Sequence, residues 1–286
     1  MNNEKIALLV DSCTDISADL AKKYNIYVIP LKIIYKNAEY TDGVDITADD
    51  IYNKLSIETP STSLPSGGDI TKIFEQIASD GYEKVLAVTI SDGLSGTYNS
   101  INFIGQQHPT LEVFVVNTKN IGIGSGFVAI QASGYISEGM KWNELKEKVS
   151  TNISKSKVFF CVSTLEYLVK GGRIGLVASL AGNLLNLKPI ISCNENGIYY
   201  TVAKVRGRKQ SLLKLIDIVS NFAETGKKYN VGLVHCNAKE DADNIKELLM
   251  SKLPYCNIYV EGQVTPALGV HTGPGLIGIG IQLIDD

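Results

Sequence analysis

The sequence predicts an α/β protein of two domains: an N-terminal domain built on a parallel sheet and a C-terminal α+β domain with a mixed sheet. Three observations carry this prediction. The chain has 286 residues, more than the usual size of one domain. In its first half, short apolar runs alternate with stretches of helical periodicity. In its second half, an Asn-Gly hairpin signal precedes further strand and helix patterns.

The N-terminal domain is expected to cover residues 1–156. The apolar run Ile6–Val10 ends in a polar loop, and a helical pattern then continues to Tyr24, which indicates a strand, a loop and a helix. Val85–Ile90 and Leu111–Val116 are predicted strands of the same kind, each followed by a helical stretch. Strands that alternate with helices predict a parallel sheet.

A β-excursion beside this sheet is expected at about 27–46. Thr47 and Asp50 then resemble a capping box with Asp in place of Glu, which predicts a short helix. A charged amphipathic helix follows Trp142, and we place the domain boundary at its end, so that the second domain covers 157–286.

In the second domain, Asn196-Gly197 predicts a hairpin turn. The remaining predicted elements are strands at Ile190–Cys193, Ile198–Val205, Val231–His235, Ile258–Val260 and Gly278–Ile284, and helices at Lys209–Ala223 and Glu240–Leu253. Their order predicts an α+β domain.

Composition excludes several classes of function. The formal charge of -3 and the pI near 5.7 give no basic footprint for nucleic acid. The first apolar run is too short for a signal peptide and no stretch approaches a membrane span, so a cytoplasmic protein is expected. The five cysteines are dispersed without metal-ligand spacing, which favours small buried side chains and predicts neither a metal nor a cofactor.

Two polar segments precede predicted helices. Ser91–Thr97 follows a buried-looking strand, where free backbone N–H groups and the positive helix end form a ready anion site. Thr62–Gly68 is rich in hydroxyls and turn residues. Ordinary turn and N-cap chemistry also explains both segments, so the residues alone do not decide between a structural role and anion binding.

His271 has unusual surroundings among the three histidines. The glycines and the proline of Gly269–Gly275 predict a tight backbone around this single imidazole, which can donate to an anion in either charge state.

Two basic segments are further candidates for a functional role, Lys170–Arg173 and Arg206–Lys209. A helix C-terminus explains the first and a solvated face the second.

Taken together, these segments resemble the DegV family over essentially the full length of the chain. The motifs are, in order, Asp11–Asp15, Thr62–Ser66, Leu94–Tyr98, Leu168–Arg173 and Gly269–Gly275. The resemblance implies a fatty-acid-binding protein whose N-terminal domain is related to dihydroxyacetone-kinase substrate domains. It also implies an acyl site between the two domains.

The resemblance further implies roles for single residues. Positions that match the family's carboxylate contacts are Thr62, Ser95, Gly96 and His271. Arg173 and Arg206 match arginines expected at the rim of the head-group opening or facing a partner.

Such proteins present the fatty acid to a separate ATP-dependent fatty acid kinase, which makes acyl phosphate for phospholipid synthesis. The expected partners are therefore a long-chain fatty acid and that kinase, with transient membrane contact and no nucleic acid.

Two positions depart from the family. Leu64 stands where many relatives have Gln, and Asp92 where many have Ser. Asp92 would weaken an anion site unless its carboxylate points away.

Two other functions stay open. An acyl hydrolase would use Ser95 as nucleophile and His271 as base, although the second glycine of a nucleophile elbow is absent two residues after Ser95. A binding subunit for a small carbonyl compound such as dihydroxyacetone would hold it covalently through His271. Of these functions, we expect that this chain is a carrier and not an enzyme.

Overall fold

The computed structural model describes residues 2–180, 187–223 and 226–284, and these residues form three β-sheets flanked by helices. The strands are β1 (Ile6–Asp11), β2 (Ile26–Ile29), β3 (Lys32–Tyr35), β4 (Ala38–Thr41), β5 (Ser61–Ser63), β6 (Lys84–Thr89), β7 (Glu112–Asn117), β8 (Ser156–Cys161), β9 (Ile190–Cys193), β10 (Tyr199–Ala203), β11 (Tyr229–His235), β12 (Cys256–Gln263) and β13 (Ile277–Leu283). The α-helices are α1 (Ala18–Tyr24), α2 (Ala48–Lys54), α3 (Gly67–Ser79), α4 (Thr97–Gly105), α5 (Ile123–Ser137), α6 (Trp142–Asn152), α7 (Glu166–Lys170), α8 (Arg208–Phe222), α9 (Lys239–Lys252) and α10 (Pro266–Thr272).

The first sheet is parallel throughout, in the order β2-β1-β6-β7. Its central strands are buried on both faces, as is usual for parallel sheets. Leu8 and Val10 of β1 face the side of the sheet that α5 covers, whereas Ala7 and Leu9 face α3 and α4. This confirms the predicted parallel-sheet α/β fold.

The segment 27–46 does not form one excursion. Its first part belongs to β2, which pairs in parallel with β1 through Leu8 and Ile26. The excursion begins only at β3, which pairs with β4 and β5 in a separate antiparallel sheet. The predicted capping box is confirmed at α2, because Thr47 and Asp50 each accept a hydrogen bond from the other's backbone N–H.

The second large sheet is mixed, in the order β10-β9-β8-β13-β11-β12. Only β11 and β12 run parallel; the other neighbours are antiparallel. Helices α8 and α9 cover one face and α5 the other. The predicted mixed sheet is confirmed, whereas the division of the chain after residue 156 remains a proposal.

Helix α5 lies between the two large sheets. Its side chains are apolar on nearly all sides, which is typical of a helix that is buried all round. Glycines on the second sheet make room for it, because a Cβ on Gly280 would lie 2.6 Å from Ile123 and one on Gly232 would lie 2.8 Å from the same side chain. Across the described residues, no helix combines the length and apolar character that crossing a membrane requires.

Because this packing leaves no space at Gly280, we predict that Gly280→Ala lowers the free energy of unfolding by about 1–3 kcal/mol. The matched control is Gly134→Ala on α5, where an added Cβ meets nothing within 4 Å. That change should be neutral or stabilise by up to about 1 kcal/mol. Urea unfolding of the two variants checks the prediction, and equal stability of both would contradict it.

Candidate functional site

A cavity of about 220 Å³ lies where the carboxyl ends of the parallel sheet meet α10 and the chain after α7. Its polar lining comes from Thr62, Ser63, Ser95, Arg173, His271 and Thr272. Its other lining residues are Cys13, Leu31, Leu64, Ile90, Leu94, Gly96, Ile121, Tyr199, Ala267 and Leu268. The four predicted carboxylate contacts therefore line one cavity, to which both halves of the chain contribute.

Thr62 and His271 are in direct contact although 209 positions separate them in sequence. The Thr62 Oγ1 and His271 Nε2 atoms are 2.7 Å apart, so one group donates a hydrogen bond to the other. Thr62 lies on β5, where it is opposite Ile33 of β3. The segment predicted to be a polar turn before α3 thus begins as a strand.

His271 lies in the last turn of α10 rather than in a tight loop. Pro266 occupies the first turn, where a missing N–H costs little, and Gly273 ends the helix with a φ of +68°. The predicted tight backbone therefore begins only after Thr272. Burial, and then the positive charge of Arg173, lower the pKa of His271 to about 4. Its imidazole is neutral at pH 7.

Gly171 lies directly against this imidazole. A Cβ added to Gly171 would be 2.0 Å from His271 Nδ1, a nitrogen that is buried and has no hydrogen-bond partner within the described residues. Gly171 has a φ of −78°, which any residue adopts. Close approach of α7 to α10, and not a left-handed backbone, is therefore what requires glycine here.

Ser95 and Gly96 form the start of α4. The Ser95 and Thr97 hydroxyl oxygens are 2.8 Å apart, and Gly96 is the N-cap residue of the helix. Asp92, the departure from the family pattern, is 2.7 Å from Lys119 and does not line the cavity. Its charge is thus compensated outside the site.

The two arginines occupy different places. Arg173 lines the cavity, donating from Nε to the Leu94 carbonyl at 3.2 Å and from Nη1 to the Gly171 carbonyl at 2.7 Å. Within the described residues it forms no ion pair. Its positive charge is therefore available to an anion in the cavity. Arg206 is exposed, its backbone forms an isolated antiparallel β-bridge with Leu187, and it does not line the cavity.

A second, smaller space of about 30 Å³ adjoins the first. Ile121, Tyr199, Leu268 and Thr272 line both. The rest of the smaller space is lined by Asp15, Gly122, Ile123, Val158, Phe160, Val234, Val264, Leu276 and Gly278. It is almost entirely apolar and lies between the start of α5 and the mixed sheet. The polar cavity thus opens inward onto an apolar wall.

Two buried carboxylates hold the start of α10. Asp15 Oδ1 accepts from the Thr265 N–H, and Asp42 Oδ1 accepts from the Ala267 N–H, both at 2.8 Å. Burial raises the pKa of Asp15 to about 7 and that of Asp42 to about 6. The sequence indicated Asp15 only as part of a motif and gave no sign of Asp42. Neither residue lies near α10 in sequence, so their role at this helix could not be predicted.

The arrangement suits a molecule with one carboxylate and an apolar tail. It offers hydroxyls, an imidazole and a guanidinium at one end and hydrocarbon at the other. A nucleophile pair is not formed, because Ser95 contacts Thr97 whereas His271 contacts Thr62. Within the described residues, no group of three or more potential ligands could hold a metal ion.

The chain is similar to known proteins over nearly its full length. A family model described as "Uncharacterised protein, DegV family" matches residues 5–283. A DegV domain-containing protein of Clostridium acetobutylicum is 42% identical over 276 residues, which is 96% of this chain and 98% of that protein.

Two solved structures have the same fold. A DegV family protein of Thermus thermophilus, described as fatty acid binding, is 29% identical with a TM-score of 0.91, covering 99% of this chain and 100% of that one. DegV of Bacillus subtilis, described as a fatty acid binding protein, is 25% identical with a TM-score of 0.90 and the same coverage.

The contact between Gly171 and His271 leads to a prediction. Gly171→Ala should displace the imidazole from its buried place, because the new Cβ would overlap Nδ1. The pKa of His271, followed by NMR titration of the imidazole, should then rise from about 4 towards its ordinary value of 6.5. Gly262→Ala, where a Cβ meets nothing within 4 Å, is the control. An unchanged pKa in folded Gly171→Ala protein would show that the contact does not position His271.

Proposed function

The chain belongs to the DegV family, and from that premise we propose that it binds one long-chain fatty acid, with the carboxylate in the polar cavity and the tail along the apolar space. The observation that carries the proposal is that the two spaces adjoin each other. Four residues line both, so a single molecule can occupy a polar end and an apolar end at once. The fatty acid binding described for the two solved relatives supports the same assignment.

The carboxylate would be held by hydrogen bonds from hydroxyls and an imidazole beside one positive charge. We assign these contacts to Thr62, Ser95, Gly96 and His271. Arg173 supplies the charge, since it lines the same cavity. Charge-assisted hydrogen bonds contribute about 1.5–3 kcal/mol each and select molecules that carry the carboxylate.

The tail would supply most of the affinity. Burial of hydrocarbon contributes roughly 0.8 kcal/mol per methylene, so about fifteen methylenes contribute some 12 kcal/mol before the costs of association and ordering. The apolar character of the inner lining suits hydrocarbon, because Val158, Phe160 and Val234 present only hydrocarbon there.

We propose further that a separate ATP-dependent fatty acid kinase converts the bound acid to acyl phosphate. The exposed Arg206, which stands outside the cavity, is assigned to the surface that this kinase contacts. The resemblance to the family's arginine positions supports this assignment. Cytoplasmic location and transient membrane contact during ligand exchange belong to the same proposal.

The site favours a carrier over the two other functions. Ser95 and His271 each have another hydrogen-bond partner, which disfavours a Ser/His hydrolase. A small polar carbonyl compound would leave the apolar inner wall unused. Both arguments support fatty acid binding.

Thr62→Ala, Ser95→Ala and His271→Ala should each weaken binding of palmitate by about 5- to 150-fold, because each removes one partner of the carboxylate. Thr71→Ala is the control, since this exposed residue donates its hydroxyl to the Gly67 carbonyl and does not line the cavity. Isothermal titration with folded variants checks the expectation. Unchanged affinity in all three variants would contradict the assigned carboxylate contacts. A wild-type protein that binds neither palmitate nor oleate would contradict the proposed function.

Arg206→Glu should leave palmitate affinity unchanged and reduce acyl phosphate formation in the presence of a purified fatty acid kinase, ATP and magnesium. The reason is that the side chain is exposed and does not line the cavity. Lys72→Glu, an equal charge reversal at an exposed position on α3, should preserve both properties. Undiminished transfer in Arg206→Glu contradicts the assignment of this surface, and acyl phosphate made without the kinase contradicts the division of labour.

A further inference from the structure

Tyr199 lies where the polar cavity meets the apolar space. It is the first residue of β10, its side chain is 3% exposed, and it lines both spaces. Of the four residues shared by the two spaces, Tyr199 and Thr272 carry hydroxyls. The Thr272 hydroxyl donates to the Leu268 carbonyl at 2.8 Å. The Tyr199 hydroxyl forms no hydrogen bond with any described residue.

An unpartnered phenol in this position needs a physical reason. Buried tyrosine hydroxyls nearly always have a hydrogen-bond partner, because leaving such a group unsatisfied costs the desolvation of its polar atoms. Phenylalanine would fill the same volume without that cost. The Tyr199 oxygen is not one of the fully enclosed polar atoms that lack a partner, so it is accessible from the cavity, where a bound molecule can be its partner.

Both the backbone and the ring of Tyr199 are held in place. Its backbone pairs with Cys193 across the hairpin, and its ring packs edge-on against Phe160, with centroids 5.2 Å apart and planes at 69°. The chain at Gly175 also approaches closely, since a Cβ there would be 2.8 Å from the Tyr199 carbonyl oxygen. The first and last contacts fix the backbone and the Phe160 contact restricts the ring, so Tyr199 is held in place before any ligand arrives.

The surroundings of the hydroxyl are those of a hydrogen-bond donor to an anion. Burial raises the pKa of Tyr199 well above its ordinary value, so the phenol carries its proton at neutral pH. Cys193, Cys13 and the Asp15 carboxylate raise this pKa further, whereas the positive charge of Arg173 lowers it. A protonated donor near a guanidinium at the inner end of a polar cavity is suited to a carboxylate oxygen.

We propose that Tyr199 is a ligand-binding residue whose phenolic O–H donates a hydrogen bond to the carboxylate of the bound acid, from the side that faces the tail. The inference rests on the proposed function and deepens it. The hydroxyls of Thr62 and Ser95 reach the head group from the outer part of the cavity, and Tyr199 adds a donor at the junction. The site thereby favours a free acid over an ester of the same chain length.

The test is Tyr199→Phe, which keeps the ring and removes only the hydroxyl. Its affinity for palmitate should fall by at least about tenfold, and its affinity for methyl palmitate should fall much less, because a neutral ester accepts a weaker hydrogen bond. The melting temperature without ligand should not fall, since the hydroxyl has no hydrogen-bond partner among the described residues. Tyr200→Phe is the control, because this neighbouring half-buried tyrosine lines neither space.

Three results would overturn the inference: equal palmitate affinity in the two variants, an equal loss for acid and ester in Tyr199→Phe, or a lower melting temperature of that variant without ligand. The first result would show that the hydroxyl does not contact the ligand. The second would show that it contacts the acyl chain and not the carboxylate. The third would show that it stabilises the protein without ligand. Failure of the wild-type protein to bind palmitate is a different result, which overturns the proposed function and this inference with it.

Discussion

The site depends on two hydrogen bonds that join distant parts of the chain. Asp15 and Asp42, from the loop after β1 and the turn after β4, accept the first N–H groups of α10. Negative groups at this end also interact favourably with the helix dipole. Because these contacts fix where α10 begins, they also fix its last turn, where His271 meets Thr62. The cost of burying both carboxylates appears in their raised pKa values.

Close approach of backbone elements is the second constraint. Gly171 lets α7 lie against His271, and Gly273 leaves space for the Tyr167 ring, which a Cβ would approach to 2.0 Å. Gly280 does the same for Ile123 between the two sheets. The head-group site and the core therefore depend on the same physical device, the absence of a side chain where two elements touch. A small substitution at such a position changes geometry more than chemistry.

The sequence predicted those parts of the fold that local patterns determine. Buried runs such as β1 and the Asn196-Gly197 turn of the second sheet carry their own signals. Strand β5 does not, because Ser61–Ser63 becomes a strand only through pairing with β3. Helix α10 contains poor helix formers and is stabilised by carboxylates more than 220 positions away. The proposed head-group residues came from family resemblance, and Tyr199 was missed because only the folded hairpin brings it to the cavity.

Under the proposed function, the charges at the site match a ligand with one negative charge. His271 is neutral at pH 7, so Arg173 is the single formal positive charge among the described residues that line the cavity. Two of its donors are already directed to carbonyl oxygens, so it acts mainly as a fixed charge. One negative charge on the ligand is thereby compensated, whereas an additional charge would be buried without a counter-charge. A fatty acid meets this condition. An acyl phosphate carries more negative charge on a larger head group, so the site that holds the acid would hold the phosphorylated product less tightly and favour its release.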